Sequence, residues 1–461
     1  MSTSSFWRNG LRAAAAILGA SALTVVVAGH AATPADRGGH DRRLGTSPVL
    51  KHTGKAPTGY SVTFRYYAPT ASRVQIKGEW SFVRPSALPQ VASTPDHTVE
   101  SQGILPLDWR PGDAPMPYPN STDPNFPVND MAKERNGVWT FTTPLPSGVF
   151  TYAFFVDCPT DNGAGCTPVS DPSNAPWNEK NDTVTGSAVP NSQVYVPSDS
   201  RFGTVDYSWQ APAKKQGKLR IATYSSPGHV TPVDENRLVV YTPPSYDPRR
   251  SEPYPTLYLN HGGGENEMGW STQGDVKNIM DNLIATGEVV PMVVVMPNAN
   301  GYPASTDNAA FRSDLIDRII PWVEDRYHVS TTAADRAFSG LSAGGRITNH
   351  LMLNDTEQFG YYGMMSAGLA PGQTLSDEQV TALKKVSVFI GAGWQDVIFA
   401  KGFNNFHTGP AMEVSTFVDA GVPVTPDFVH GGHNWNVWRL LLKDFVTRVA
   451  FLPQPFASWE G

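Results

Sequence analysis

From Tyr60 onward the chain alternates polar and apolar positions. In Ser61-Val62-Thr63-Phe64-Arg65-Tyr66-Tyr67 the apolar set starts on every second residue, and Arg73-Val74-Gln75-Ile76-Lys77 repeats the period. After a long Pro-rich stretch the pattern returns at Val138-Trp139-Thr140-Phe141-Thr142 and again over 149–155. Short alternating strands between turn residues, without a helical period, predict an all-β sandwich over residues 57–197. The flanking segments 32–56 and 198–217 read as linkers.

Beyond residue 218 the pattern changes. Leu238-Val239-Val240-Tyr241, Thr256-Leu257-Tyr258-Leu259, Met292-Val293-Val294-Val295-Met296 and Val386-Ser387-Val388-Phe389-Ile390 are the apolar runs expected of strands buried on both faces. Phe311 to Tyr327 carries apolar residues at three- and four-residue steps and predicts a helix, and Val437 to Val449 a closing one. Alternating strand and helix signals predict an α/β domain over 218–461, with a mostly parallel sheet and helices on both faces.

Composition narrows the partners. The 461 residues carry a formal net charge of −7 and no basic stripe, which argues against nucleic acid. Arg8 and Arg12 precede an apolar run from Ala13 to Val27, and Gly29-His30-Ala31 supplies small residues after it. Residues 1–31 therefore read as a secretory signal cleaved near Ala31, with a hydrophobic run too short for a stable membrane anchor. Export and close spacing predict a local disulfide between Cys158 and Cys166, the only cysteines. Closing so short a loop stabilises by about 2.5 kcal/mol.

Four short motifs carry the candidate chemistry, in one chain order: His261-Gly262-Gly263-Gly264, Gly340-Leu341-Ser342-Ala343-Gly344, Asp396 and Gly431-Gly432-His433. Gly-x-Ser-x-Gly is weak alone, but here it lies between a strand pattern ending at Gly340 and a helical one over 345–353, as a nucleophile elbow requires. A serine hydroxyl needs an adjacent base. His433 precedes the closing helix and is the expected base; His430, at a strand end, is its competitor. Asp396 follows a buried strand and can fix the histidine tautomer, whereas Asp419 and Asp427 fall in a helix and at a strand start. The oxyanion donors expected are the Ala343 N–H and one from the glycine run, at Gly263. His261 reads as a residue that orients this loop. Nucleophilic chemistry of this kind calls for no cofactor and no metal.

The catalytic part resembles the esterase-D-like group, and within it carbohydrate esterase family one. The resemblance rests on VVYTPPSYD, YPTLYLNHGGGENEMGW, PMVVVMPNANG, GLSAGG, IGAGWQD and GGHNWNVWR. It implies an α/β hydrolase fold with Ser342, Asp396 and His433 as the triad. Ala343 stands where that group commonly has methionine, and HGGGENE replaces its HGxGG. Upstream, VTFRYYAP, the NGVWTFTTP…SGVFTYAFFVD run and Asp171-Pro172-Ser173-Asn174 resemble an E-set (immunoglobulin-like) module.

The function implied is a secreted serine carboxylic-ester hydrolase that deacylates feruloyl or acetyl esters on plant polysaccharide through an acyl-enzyme. An acyltransferase on cell-envelope sugars, a siderophore-ester hydrolase and a non-catalytic carbohydrate-binding protein are the alternatives. Trp80 and Trp109 are candidate sugar-stacking residues, and Trp139 a weaker one. The long insertion at 84–130 is either a solvated loop on a structural module or a candidate wall of the substrate cleft.

Overall fold

The computed structural model describes residues 46–87, 103–116, 128–161, 163, 165–174, 192–203, 205–305, 308–369, 372–396 and 409–452. The expected signal 1–31 lies outside these residues, as does most of the 84–130 insertion.

The first part of the chain forms β1 (Val49–His52), β2 (Tyr60–Tyr67), β3 (Val74–Gly78), β4 (Phe82–Val83), β5 (Ala114–Pro115), β6 (Asn129–Asp130), β7 (Ala132–Lys133), β8 (Val138–Pro144), β9 (Gly148–Val156) and β10 (Ser192–Val196). Two four-stranded sheets, ordered β1-β2-β8-β7 and β10-β9-β3-β6, share one apolar cluster, and β4 pairs with β5. The alternation explains this core. Val62 and Phe64 of one sheet meet Ile76, Tyr152 and Phe154 of the other, with Phe64 and Tyr152 rings 4.6 Å apart. Cys158 and Cys166 are joined in a disulfide just beyond β9.

Three expectations need correcting. Strand β1 lies inside the expected linker 32–56, pairing with β2 in antiparallel register. Its side chains are mostly exposed, so it adds backbone hydrogen bonds without an apolar pattern to betray it. The expected linker 198–217 is also tied down: Asn282 donates to the Trp209 and Ala211 carbonyls at 3.2 and 2.7 Å, and Gly217 N–H donates to Asp281 at 2.8 Å. Trp80, Trp109 and Trp139 are only 3%, 7% and 5% exposed and belong to the core, so none offers an open face to a sugar.

The second part continues with β11 (Lys218–Val230), β12 (Val233–Thr242), β13 (Thr256–Asn260), β14 (Val293–Pro297), β15 (Arg336–Leu341), β16 (Tyr361–Met365), β17 (Ser387–Gly393) and β18 (Thr425–Val429). They form one eight-stranded sheet ordered β11-β12-β14-β13-β15-β16-β17-β18. β11 and β12 are antiparallel to their neighbours and every later pairing is parallel. The apolar runs face two separate cores. Val240, Val293, Val295 and Phe338 pack under one helical layer, and Val239, Val294, Met296 and Leu341 under the other.

Helices α1 (Val276–Thr286) and α7 (Trp435–Arg448) cover one face. The other carries α2 (Ala309–Asp314), α3 (Ile320–Arg326), α4 (Ala343–Asn354), α5 (Asp377–Leu383) and α6 (Gly409–Asp419). The helix expected over 311–327 is thus continuous but widened into a π turn at Leu315–Ile319. Pro321, which lacks an N–H and crowds the preceding turn, accounts for the widening. Among the described residues, no helix is long and apolar enough to cross a membrane.

Four buried carboxyls make stability pH-dependent. Burial pushes Glu79, Glu265 and Asp275 up to about 7 and Glu413 up to about 8. Each binds its proton more tightly folded than unfolded. The stability they confer is therefore complete below about pH 4 and is lost as pH climbs through 7 and 8. The urea midpoint should accordingly fall between pH 5 and 8.5, and Glu413→Gln should flatten the upper part of that fall. A variant as pH-sensitive as the parent would show that Glu413 is not the titrating group.

Candidate active site

Ser342 sits between β15 and α4 with φ 53° and ψ −111°, a conformation that β-carbon-bearing residues rarely adopt. Its N–H donates to the Met365 carbonyl at 2.9 Å, which fixes the turn to the neighbouring strand. A β-carbon on Gly340 would lie 2.5 Å from the Gly344 carbonyl oxygen, and one on Gly344 2.5 Å from that of His261. Both glycines of the elbow are therefore demanded by backbone contact, not by flexibility.

Sheet register brings the other motifs to the same edge. Asn260, at the end of β13, pairs with Gly340, so the His261 loop starts beside the elbow. Gly393 pairs with Val429 across β17 and β18, and Asp396 and His433 follow these strand ends by three and four residues. His433 Nδ1 lies 2.8 Å from Asp396 Oδ2, and Nε2 lies 3.0 Å from Ser342 Oγ. A carboxylate can only accept, so Nδ1 carries the proton and Nε2 is left to accept the serine O–H. Asp396 is fully buried, which strengthens that hydrogen bond.

The glycine loop closes on the elbow. A β-carbon on Gly263 would be 3.9 Å from the Ala343 β-carbon. Gly262 N–H is already taken by Glu265 Oε2 at 3.1 Å. Among the described residues no acceptor meets the N–H of Gly263 or Ala343, so two adjacent donors beside Ser342 stay available. His261 is buried and pinned: Nε2 accepts the Ala299 N–H at 3.0 Å while Nδ1 donates to the Gly262 carbonyl at 2.7 Å. Burial pushes its pKa down to about 4, which keeps it neutral, as these two bonds require.

All five expected site residues thus meet at one place, and the competitors do not. His430 is exposed and turned toward a different cavity. Asp427 pairs with Arg448 at 3.3 Å. Two positioning residues escaped the motif search. Gln395 brackets the loop before His433, accepting the Gly431 N–H on its side chain at 2.8 Å while its own N–H donates to the Gly431 carbonyl at 2.9 Å. Trp438 sets its ring edge-on to His433 at 4.9 Å and donates to Ser366 Oγ at 2.9 Å. Their position directly beside Asp396 and one turn after His433 was the only available signal.

Residues 232–449 match the model of a family described as putative esterase. The α/β domain is thus similar to that esterase family over just under half of the chain. Over 279 residues, 57% of this chain, it is 30% identical to an endo-1,4-beta-xylanase/feruloyl esterase of Xylanibacter ruminicola. The aligned part spans 34% of that relative's length. Among solved structures, a ferulic acid esterase is 25% identical with a TM-score of 0.44, covering 51% of this chain and 99% of that one. The enterobactin esterase of Shigella flexneri is 15% identical with a TM-score of 0.49, covering 84% of this chain and 92% of that one. Among the described residues of the esterase domain and the β unit, no group of His, Cys, Asp and Glu could hold a metal ion.

Proposed function

We propose that the protein is a secreted serine esterase that releases phenolic acyl groups from plant polysaccharide, with Ser342 as nucleophile. The hydrogen-bonded series Ser342–His433–Asp396 is the observation that carries this reading. His433 Nε2 removes the Ser342 Oγ proton as Oγ attacks the ester carbonyl carbon. The carbonyl oxygen, now an oxyanion, accepts from the N–H groups of Gly263 and Ala343. As the C–O bond to the leaving alcohol breaks, His433 returns the proton to it, leaving an acyl-serine. Water, deprotonated by His433, then cleaves that ester and restores Oγ–H. Asp396 holds Nδ1–H throughout and steadies the imidazolium.

The choice of a feruloyl over an acetyl ester is supported by the similarity to the Xylanibacter relative, an endo-1,4-beta-xylanase/feruloyl esterase. Export is supported by the charged and apolar N-terminal segment, and an E-set module by the two-sheet β unit ahead of the esterase domain. A panel of methyl ferulate, 4-nitrophenyl acetate and longer-chain esters tests the acyl preference, with product analysis in the presence of xylose. Methyl ferulate should give the highest kcat/KM and free ferulic acid as the product. Preference for acetate would reassign the acyl group, and feruloyl-xylose as main product would make the protein a transferase.

A further inference from the structure

We propose that Glu265 is a positioning residue for the oxyanion donors: it pins the two peptides ahead of Gly263, so that the Gly263 N–H stays aimed at the reacting oxygen. This role rests on the proposed esterase reading of Ser342, which assigns nothing to the Glu265 side chain.

The loop's own sequence creates the need. Gly262, Gly263 and Gly264 are consecutive, and a glycine has no side chain to hold its peptide in one orientation. Gly263 and Gly264 are exposed, so packing does not hold them either. The Gly263 N–H belongs to the same planar peptide as the Gly262 carbonyl and points the opposite way. Turning that peptide over would put a carbonyl oxygen where the oxyanion forms. Whatever holds the Gly262 carbonyl therefore aims the donor.

Glu265 holds this peptide and the one before it. Its backbone N–H donates to the Gly262 carbonyl at 3.4 Å, alongside His261 Nδ1–H at 2.7 Å. Its Oε2 accepts the Gly262 N–H at 3.1 Å, which fixes the 261–262 peptide. A β-carbon on Gly262 would lie 3.5 Å from that Oε2 and 3.5 Å from the Ser342 β-carbon, so the carboxyl stands beside the nucleophile's turn. Two anchors outside the loop fix Glu265 itself. Asn300, just past β14, donates to its carbonyl at 2.6 Å, and the indole of Trp435, the first residue of α7, hydrogen-bonds its carboxyl. The Gly262 and Trp435 N–H groups favour the ionised carboxyl, against the burial that pushes it up to about 7. Trp435 also meets Trp438 edge-on at 5.2 Å, and Trp438 packs on His433. One carboxyl thus ties the oxyanion loop to the helix behind the proposed base.

Steady-state kinetics of the full chain at about pH 8, above the carboxyl's value of about 7, test this. A misaimed donor weakens the transition state alone, so Glu265→Leu should lower kcat for 4-nitrophenyl acetate about hundredfold and leave KM within about threefold. Glu265→Gln keeps an oxygen for the Gly262 N–H and should stay within about fivefold of the parent. A trifluoromethyl ketone adds Ser342 Oγ at its carbonyl carbon and leaves an oxyanion in the same hole, with the serine proton on His433. Its affinity should fall in Glu265→Leu by about the same factor as kcat. Should the leucine variant not fold, Glu265→Asp, shorter by one methylene, takes its place with a loss of about tenfold. Unchanged kcat or inhibitor affinity in the folded variant, a loss confined to KM, or equal damage in Glu265→Gln overturns the proposal. Ser342→Ala assayed alongside keeps the two readings apart. Turnover that survives it takes both down, whereas an inactive Ser342→Ala beside an undamaged Glu265→Leu removes Glu265 alone.

Discussion

Ser342→Ala should lower kcat for ester hydrolysis about ten-thousand- to millionfold while leaving the fold and the unfolding midpoint close to the parent. Losses on that scale correspond to about 5–8 kcal/mol of transition-state stabilisation. They follow from the geometry: the 3.0 and 2.8 Å contacts make Ser342, His433 and Asp396 one unit. His433→Ala should fall as far, and the double variant no further, since removing either member disables the other. His430→Ala should keep activity near the parent's. Turnover in Ser342→Ala within tenfold or so of the parent would remove Ser342 from the mechanism, and a larger loss from His430→Ala than from His433→Ala would reassign the base.

The second large effect is expected at Arg439, which is fully buried on α7. Its Nε donates to the Gln273 carbonyl at 2.9 Å and its Nη1 to that of Val149, in β9, at 3.3 Å. It also faces Glu79 and Asp275, which its charge pulls down against the stronger upward push of burial. One guanidinium therefore ties the β unit, the segment after the glycine loop and the helix behind His433. Arg439→Met should destabilise by about 3–5 kcal/mol, the usual result of removing one partner from a buried ionic group. The penalty should grow from pH 5 to pH 9, because the two carboxyls left behind cost most when ionised. Urea unfolding at both pH values measures it. A loss below about 1 kcal/mol at pH 9, typical of a surface ion pair, would show that the cluster does not hold the two parts together.

Much of the site was legible because its residues are locally constrained. The elbow glycines, the glycine run and the strand-end positions of Asp396 and His433 each follow from backbone contacts that allow few alternatives. The apolar runs at 238–241 and 292–296 announced doubly covered strands for the same reason. What stayed hidden depends on partners distant in the chain. β1 buries little of its side chains. Trp80 and Trp109 looked free for sugar because their cover comes from other strands, with Phe141 of β8 stacked on Trp80 and Phe82 of β4 edge-on to Trp109. Gln395 is unremarkable until the Gly431 turn is folded against it.

The sheet order has a consequence for how activity is lost. His433 hangs from β18, which among the described residues ends the sheet and is paired along one side only, to β17. Its five residues are intermediate or exposed, unlike the fully buried β15 that carries Ser342. An edge strand of this kind frays at a lower free energy than the core strands. His433, the proposed base, can therefore swing away from an intact Ser342, so that mild denaturant should abolish ester hydrolysis while the spectroscopic signature of the folded sheet persists.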